Sequence, residues 1–389
     1  MESISIYPPT LDGKNIEQKR QEILKYFNNT YELFEKIFEL LENDKVFYKK
    51  SEPTRHPMIF YFGHTATFFI NKLILMKIID KRVDANFESI FAIGVDEMEW
   101  DDVNSKNYSW PKVEEVRRYR NIVKKIVQDL ICKLEFELPI KQNSAMWIIL
   151  MGIEHERIHI ETSLVLHRQM PLQFIKNIKE LNICTHSSKS PKNDMVKISS
   201  QAVKLGKNIN HNLYGWDNEY GVYKESVNEF KVSKYLVSNA EFMEFVENNG
   251  YEREEFWDED GLKYLKNTNA KHPVFWILKD GVYKYRAISQ IIDMPLDWPV
   301  DVNALEAQAF CKYKSKIDGV TYLLPSEAEY RAIYEQTNIE DLPGGMALEW
   351  AKWCLSPNYL FDYIEPSQLY FDDIKTKISD LEQAITQLE

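Results

Sequence analysis

Two histidines one helical turn apart, set among carboxylates, are the strongest chemical signal in this sequence. In Glu154-His155-Glu156-Arg157-Ile158-His159-Ile160-Glu161-Thr162 the imidazoles stand at i and i+4, a spacing that brings helical Cβ atoms to ~5–6 Å on one face. Ile148, Gly152, His155, His159, Thr162 and Leu166 follow one another at spacings of four and three, so the histidines replace apolar residues on a stripe expected to face a core. Two inward imidazoles are costly unless hydrogen-bonded or ligated. Core histidines satisfied from other helices are one reading. With Glu154, Glu156 and Glu161 close by, metal binding is favoured over it, because imidazole is the commonest transition-metal ligand. Gly152, at a helix-propensity cost of ~1 kcal/mol, is tolerable there if something must approach the helix closely.

A third ligand is expected from another helix. His64, in Phe60-Tyr61-Phe62-Gly63-His64-Thr65-Ala66, shares a stripe with Phe60, Thr67 and Asn71 and is the best candidate. His56 precedes a proline at a helix start and is expected at the surface or as a cap. Glu161 lies about 200° round an ideal helix from His159, so it cannot easily share the metal. With Glu156 it is expected to support the ligands from outside. A rival exists: His155-Glu156-x-x-His159 matches the H-E-x-x-H zinc-hydrolase pattern, and Glu180 lies 21 residues beyond His159, near where some zinc proteases place a ligand. Further on, Tyr214-Gly215-Trp216-Asp217-Asn218-Glu219-Tyr220 puts polar groups in a turn-like aromatic segment. Asp217 and Asn218 could hold a substrate ammonium or carboxylate, or form a structural Asx turn.

The elements that would carry these residues are legible from apolar periodicity. The spacing predicts four long helices: Asn15 to Glu42, with Ile16, Ile23, Phe27, Phe34, Ile37 and Leu41 on one stripe; Pro57 to about Ile79; Pro111 onward, with Val116, Tyr119, Val123, Ile126 and Leu130; and Ser144 to Gln169, stopped by Pro171. Four such helices imply a bundle over residues 1–180. A polar linker is expected over 181–195, then an α+β domain over 196–340. Its β-prone runs are Val196–Ile198, Phe230–Val232 and Val282–Tyr285, and its helices Ser238–Glu247 and Val302–Tyr313. In a tail over 341–389, Phe371, Ile374, Ile378, Leu381, Ile385 and Leu388 form a short heptad-like seam. That stripe suits docking on its own domain or, less well, on a partner chain or a second copy.

Composition narrows the class. The 389 residues carry 48 Lys+Arg against 60 Asp+Glu, a net charge of -12, which argues against nucleic acid and anionic membrane surfaces. No apolar run approaches the ~20 residues of a bilayer span, and the first residues lack a secretory pattern. Cys132, Cys184, Cys311 and Cys354 have no C-x-x-C spacing, so a reduced, cytoplasmic protein is expected.

Longer motifs carry a resemblance. RHPMIFYFGHTATFFINKL (Arg55–Leu73), FAIGVDEMEWDD (Phe91–Asp102) and MGIEHERIHIETS (Met151–Ser163) closely resemble the 5-histidylcysteine sulfoxide synthases of ovothiol biosynthesis, whose wider relatives are the ergothioneine-pathway sulfoxide synthases. These families join a DinB-like four-helix bundle to a formylglycine-generating-enzyme-like domain of C-type-lectin-like fold. YGWDNEYG (Tyr214–Gly221), VSNAEFMEFVENNGY (Val237–Tyr251), MPLDWPVDVNALEAQAFCKYKSK (Met294–Lys316) and LLPSEAEY (Leu323–Tyr330) look like that second domain.

The resemblance implies Fe(II) held by His64, His155 and His159, with Glu161 completing the pattern H-x-x-x-H-x-E, and Asp217 and Asn218 beside the substrate. It implies an oxygen-dependent oxidoreductase that joins L-cysteine to the imidazole of L-histidine as a sulfoxide. Past about Glu335 the resemblance thins, so the second domain is expected to be partial. The tyrosine that relatives place near iron has no assignable position here. A split or non-catalytic subunit that keeps the metal site, and a zinc hydrolase, remain as alternatives.

Overall fold

Helix ends in this chain form where side chains can satisfy the first turn's free N–H groups. Asn15 accepts from the Gln18 amide at 2.9 Å and opens α1, Ile16–Phe38; Ser144 accepts from the Trp147 amide at 3.3 Å and opens α5, Ala145–Gln169, as capping residues do. Pro57, which has no N–H to satisfy, precedes α2, Met58–Leu75. A short α3, Ala85–Ile90, is capped by Asp84, and α4 spans Val113–Lys133. The computed structural model describes residues 8–53, 55–92, 109–178, 181 and 187–336. The expected helix Phe371–Leu388, Glu180 and most of the Phe91–Asp102 motif lie outside them.

The described residues fall into two units, one made of residues 8–181 with Ile209–Asp217, the other of 187–208 and 218–336. In the first, α1, α2, α4 and α5 pack as the expected bundle. Its core is aromatic: Phe27 meets Phe69 edge-on at 5.7 Å, and Phe38 meets Phe62 at 4.9 Å.

Several expectations need correction. On α4 the buried stripe follows Val123, Val127 and Ile131, so Ile126 and Leu130 are only half-buried. Repeated spacings of four drift round the helix faster than the alternating pattern supposed. Ile16 and Thr162 are exposed. The apolar stretch of α2 is long enough to cross a bilayer by length and composition, but 67% of it is buried, so its apolarity serves the bundle core. Residues Ile209–Asp217 pack with the helices: the Leu11 amide donates to the Asn212 carbonyl at 2.6 Å, and the Trp147 and Tyr214 rings lie 4.7 Å apart.

The second unit is built on antiparallel pairs. Strand β1 (Met195–Ile198) pairs with β4 (Phe230–Ser233), β2 (Gln201–Leu205) with β3 (Tyr223–Val227), and β5 (Trp276–Lys279), β6 (Val282–Arg286) and β7 (Ile291–Asp293) form a three-stranded meander. Asp280 and Gly281, at φ of 51° and 78°, close the β5–β6 hairpin, as left-handed two-residue turns do. Helices α6 (Asn239–Glu247) and α8 (Ala304–Asp318) each begin in a capping box, Ser238 with Glu241 and Asn303 with Glu306. Helix α7 is Glu259–Thr268, and α9 (Glu327–Gln336) lays Ala328, Ala332 and Ile333 on Ile198, Val203 and Val227.

Candidate metal centre

Helices α2 and α5 bring three imidazoles together. One ring nitrogen from each of His64, His155 and His159 lies within 4.8 Å of the others, as the sequence placed them. His155 and His159 stand one turn apart, ring centroids 4.6 Å from each other, and His64 meets them at 4.9 and 4.8 Å. His64 and His155 are buried and His159 is half-buried, so the cluster reaches solvent on the His159 side.

His64 is fixed from behind. Its Nδ1 lies 2.7 Å from the Phe91 carbonyl oxygen. A carbonyl only accepts, so Nδ1 carries the proton and Nε2 presents a lone pair toward the cluster, as an oriented metal-binding histidine does. Gly63 makes this approach possible: a Cβ there would come within 2.7 Å of the Phe91 ring. Phe60 stacks on His64 at 5.2 Å and 16°, and Phe68 on His155 at 3.7 Å and 7°. Gly152 has a similar reason: an added Cβ would meet the Phe69 ring at 2.2 Å, so it makes room for a core aromatic and not for a ligand.

The electrostatics suit a cation. Burial, then His159, His64 and Lys72, push the His155 ionisation well below its ordinary range. Burial and then His64 do the same to His159. Both rings are therefore neutral, the form that binds metals. Among the described residues neither His155 Nδ1 nor His159 Nδ1 has a hydrogen-bond partner, and such orphaned groups are rare in protein interiors. His64 Nε2 and His155 Nε2 are 3.2 Å apart. Two neighbouring ligands with bonds of ~2.1 Å would stand roughly 3.0–3.4 Å apart, so this pair already has the spacing that one ion asks of two neighbouring ligands.

The flanking carboxylates divide their tasks. Glu156 is fully buried and turns onto α4 and α2, its Oε1 accepting from Arg120 Nη2 at 2.9 Å and from Thr65 Oγ1 at 3.0 Å. Burial raises its carboxyl ionisation against the pull of Arg120. Glu154 accepts from the Tyr26 hydroxyl at 2.6 Å and ties α5 to α1. Glu161 is half-buried, and Asp217 and Asn218 are exposed at the one-turn helix Asp217–Glu219. His56, expected at the surface, is buried, its ring 4.3 Å from that of Phe60 and 6.0 Å from that of Trp110. Two aromatic neighbours cover a ring that sequence position alone left exposed.

Sequence reasoning missed Phe91, Phe68, Thr65 and Arg120. The glycine beside His64 was the one available sign that something approaches α2 closely.

Residues 26–163 match the DinB superfamily, and residues 183–335 match the sulfatase-modifying factor enzyme 1-like domain. The chain is similar to ergothioneine biosynthesis protein 1 of Schizosaccharomyces pombe, 24% identical across 76% of this chain and 39% of that protein. It is also similar to hercynine oxygenase of Mycobacterium tuberculosis, 27% identical across 29% of this chain and 25% of that protein. It therefore spans about two-fifths or less of the length of these curated relatives. The chain thus carries a DinB superfamily match followed by a sulfatase-modifying factor enzyme 1-like match, and these relatives are named for ergothioneine biosynthesis and hercynine oxygenation.

Proposed function

We propose that the chain is a non-haem Fe(II)-dependent oxidoreductase that joins L-cysteine to the imidazole of L-histidine, giving 5-histidylcysteine sulfoxide, the ovothiol-type reaction. The observation that carries this is the convergence of three imidazoles, two buried and one half-buried, with ring nitrogens within 4.8 Å. Cysteine, histidine and O2 would give the sulfoxide and one water. One oxygen atom ends on sulfur and the other in water, and the four electrons come from C–S bond formation and sulfur oxidation.

Iron, held by His64, His155 and His159, would supply the oxygen chemistry and leave up to three positions for substrates. The protein's own contribution is to hold and exclude. Neutral histidines add no negative charge, so a nearby thiolate keeps its donor strength. The Phe91 carbonyl holds a proton on His64 Nδ1, and the Phe60 and Phe68 rings stack on His64 and His155 and fix their planes. Fixing two small substrates at one point makes proximity decide which carbon is attacked. Asp217 and Asn218 are assigned here to the polar groups of the substrate, and Glu161 to support of the ligands. A reducing, cytoplasmic setting suits a thiol substrate.

The zinc-hydrolase alternative needs Glu156 free to take a proton from metal-bound water. Glu156 is instead locked to Arg120 and Thr65, which disfavours it. The coverage of the relatives supports a second reading, in which this chain is the metal-holding part of a larger or split enzyme.

The test is anaerobic reconstitution with Fe(II), then addition of cysteine, histidine and O2, with product mass and oxygen uptake followed. The sulfoxide mass is expected. Turnover with hercynine but not histidine would move the assignment to ergothioneine-type chemistry. Full iron loading with no sulfoxide from either would leave the metal-holding reading.

A further inference from the structure

Lys72 stands two turns beyond His64 on α2, half-buried. Its ammonium lies over the Phe68 ring, 5.1 Å from the centroid. Phe68 in turn stacks on the His155 imidazole at 3.7 Å, with the ring planes only 7° apart. Laid end to end, 5.1 and 3.7 Å put Lys72 Nζ within about 9 Å of the centre of the His155 ring. One cation is thus carried on an aromatic plate whose next neighbour is a candidate metal ligand.

Several other shielded cations of this unit are matched by carboxylates. Lys19 meets Glu22, Arg20 meets Glu17, and Arg120 meets Glu156 and Glu35. Among the described residues, Lys72 pairs with no carboxylate, and the Phe68 ring is the partner it has. A cation–π contact positions an ammonium without neutralising it, so the charge stays available to an anion. Tyr61, Phe68 and His159 around the cluster are half-buried, as Lys72 is.

The ligand class follows from size and charge. An amino acid held by its sulfur carries its carboxylate carbon three bonds away, roughly 4 Å, a reach compatible with the distance to Nζ. We propose that Lys72 binds the α-carboxylate of the amino acid held at His64, His155 and His159, and so selects amino acids over their decarboxylated amines. This rests on the amino-acid reading given above.

The experiment is calorimetric titration of the Fe(II)-loaded full chain, kept free of oxygen, with L-cysteine, cysteamine, L-histidine and histamine. It is run on the unsubstituted protein, Lys72→Gln and Lys72→Arg. Lys72→Gln is expected to weaken at least one of the two amino acids about tenfold and leave its amine unchanged, with Lys72→Arg restoring most of the loss. Equal effects on amino acid and amine, or none on either, would overturn the role of Lys72 while leaving the functional reading intact. Full metal loading with binding of neither amino acid by the unsubstituted chain would overturn both. Iron content and thermal midpoint of each variant, expected unchanged, separate ligand recognition from a folding defect; a loss of either in Lys72→Gln and Lys72→Arg alike would make Lys72 structural and overturn the proposal.

Discussion

Arg120 donates from Nη2 to Glu156 Oε1 at 2.9 Å inside the bundle, and neither side chain reaches solvent. The same guanidinium donates from Nη1 to the Phe62 carbonyl and to Thr65 Oγ1, both at 2.9 Å. One group on α4 therefore braces α2 beside His64 and α5 beside His155. Its planar fork serves partners in several directions at once, which a lysine cannot do. Removing one member of such a pair strands a buried charge, at a cost of about 3–5 kcal/mol.

We therefore expect Arg120→Leu and Glu156→Leu each to lower unfolding free energy by about that amount. The double substitution should lose less than the two losses added. Urea denaturation of the four proteins in the cycle measures this. Strict additivity would show that the pair is not coupled. Arg120→Lys is expected to recover little.

Loss of a ligand should appear in metal content before it appears in folding. His64→Ala, His155→Ala and His159→Ala are each expected to weaken Fe(II) binding on the order of 100-fold or more, since removing even an outer supporting partner costs 10–100-fold. Iron per chain after anaerobic loading and desalting reads this directly. If all three variants retain a full equivalent, the metal lies elsewhere.

What the sequence revealed and what it hid follow from different physics. The four long helices were visible because Ile23, Phe27, Phe34 and Ile37, like their counterparts on the other helices, repeat at helical spacing, and because Ser144 and Pro171 mark the ends of α5. The three histidines were visible because imidazoles interrupt those apolar stripes. Arg120 was invisible because it follows Arg117 and Arg118 and reads as one more surface cation. Only tertiary contact with Glu156 makes it internal. Phe91 acts through its backbone carbonyl from the end of a six-residue helix, and a carbonyl has no sequence signature. The second unit was legible only in part: the runs Val196–Ile198, Phe230–Val232 and Val282–Tyr285 fall within β1, β4 and β6, while β2, β3, β5 and β7, three to five residues long, are too short for alternation to mark them. Asp217 and Asn218 are adjacent in sequence yet fall in different units, a division that no local pattern encodes.

Gly152 offers a packing test independent of metal. A methyl group there would lie 2.2 Å from the Phe69 ring, which must then move within a filled core. Overpacking of this kind costs typically 1–3 kcal/mol, against a helix-propensity gain of ~1 kcal/mol. Gly152→Ala should therefore destabilise the bundle, and pairing it with Phe69→Leu should recover part of the loss. Thermal unfolding would contradict this packing if Gly152→Ala proved as stable as the parent.

His167 sets an acid limit on the bundle. Its ring lies edge-on to Phe38 at 5.0 Å, and Nδ1 donates to the Ser163 carbonyl at 2.6 Å. Nε2 has no hydrogen-bond partner among the described residues, so protonation would create a buried N–H with nothing to receive it. Burial pulls the ionisation from 6.5 down to about 4, with the Ser163 carbonyl opposing weakly. Between those values the unfolded chain binds the proton and the folded chain does not, so stability falls as pH drops from 6.5 toward 4. At about 1.4 kcal/mol per pH unit the loss approaches 3 kcal/mol. His155 and His159 add the same sign in metal-free protein, so the difference between the parent and His167→Leu isolates this residue. Urea midpoints at steps from pH 7 to 4.5 should fall further in the parent than in His167→Leu. A constant gap across that range would mean that His167 is already charged in the folded state or that Nε2 finds a partner.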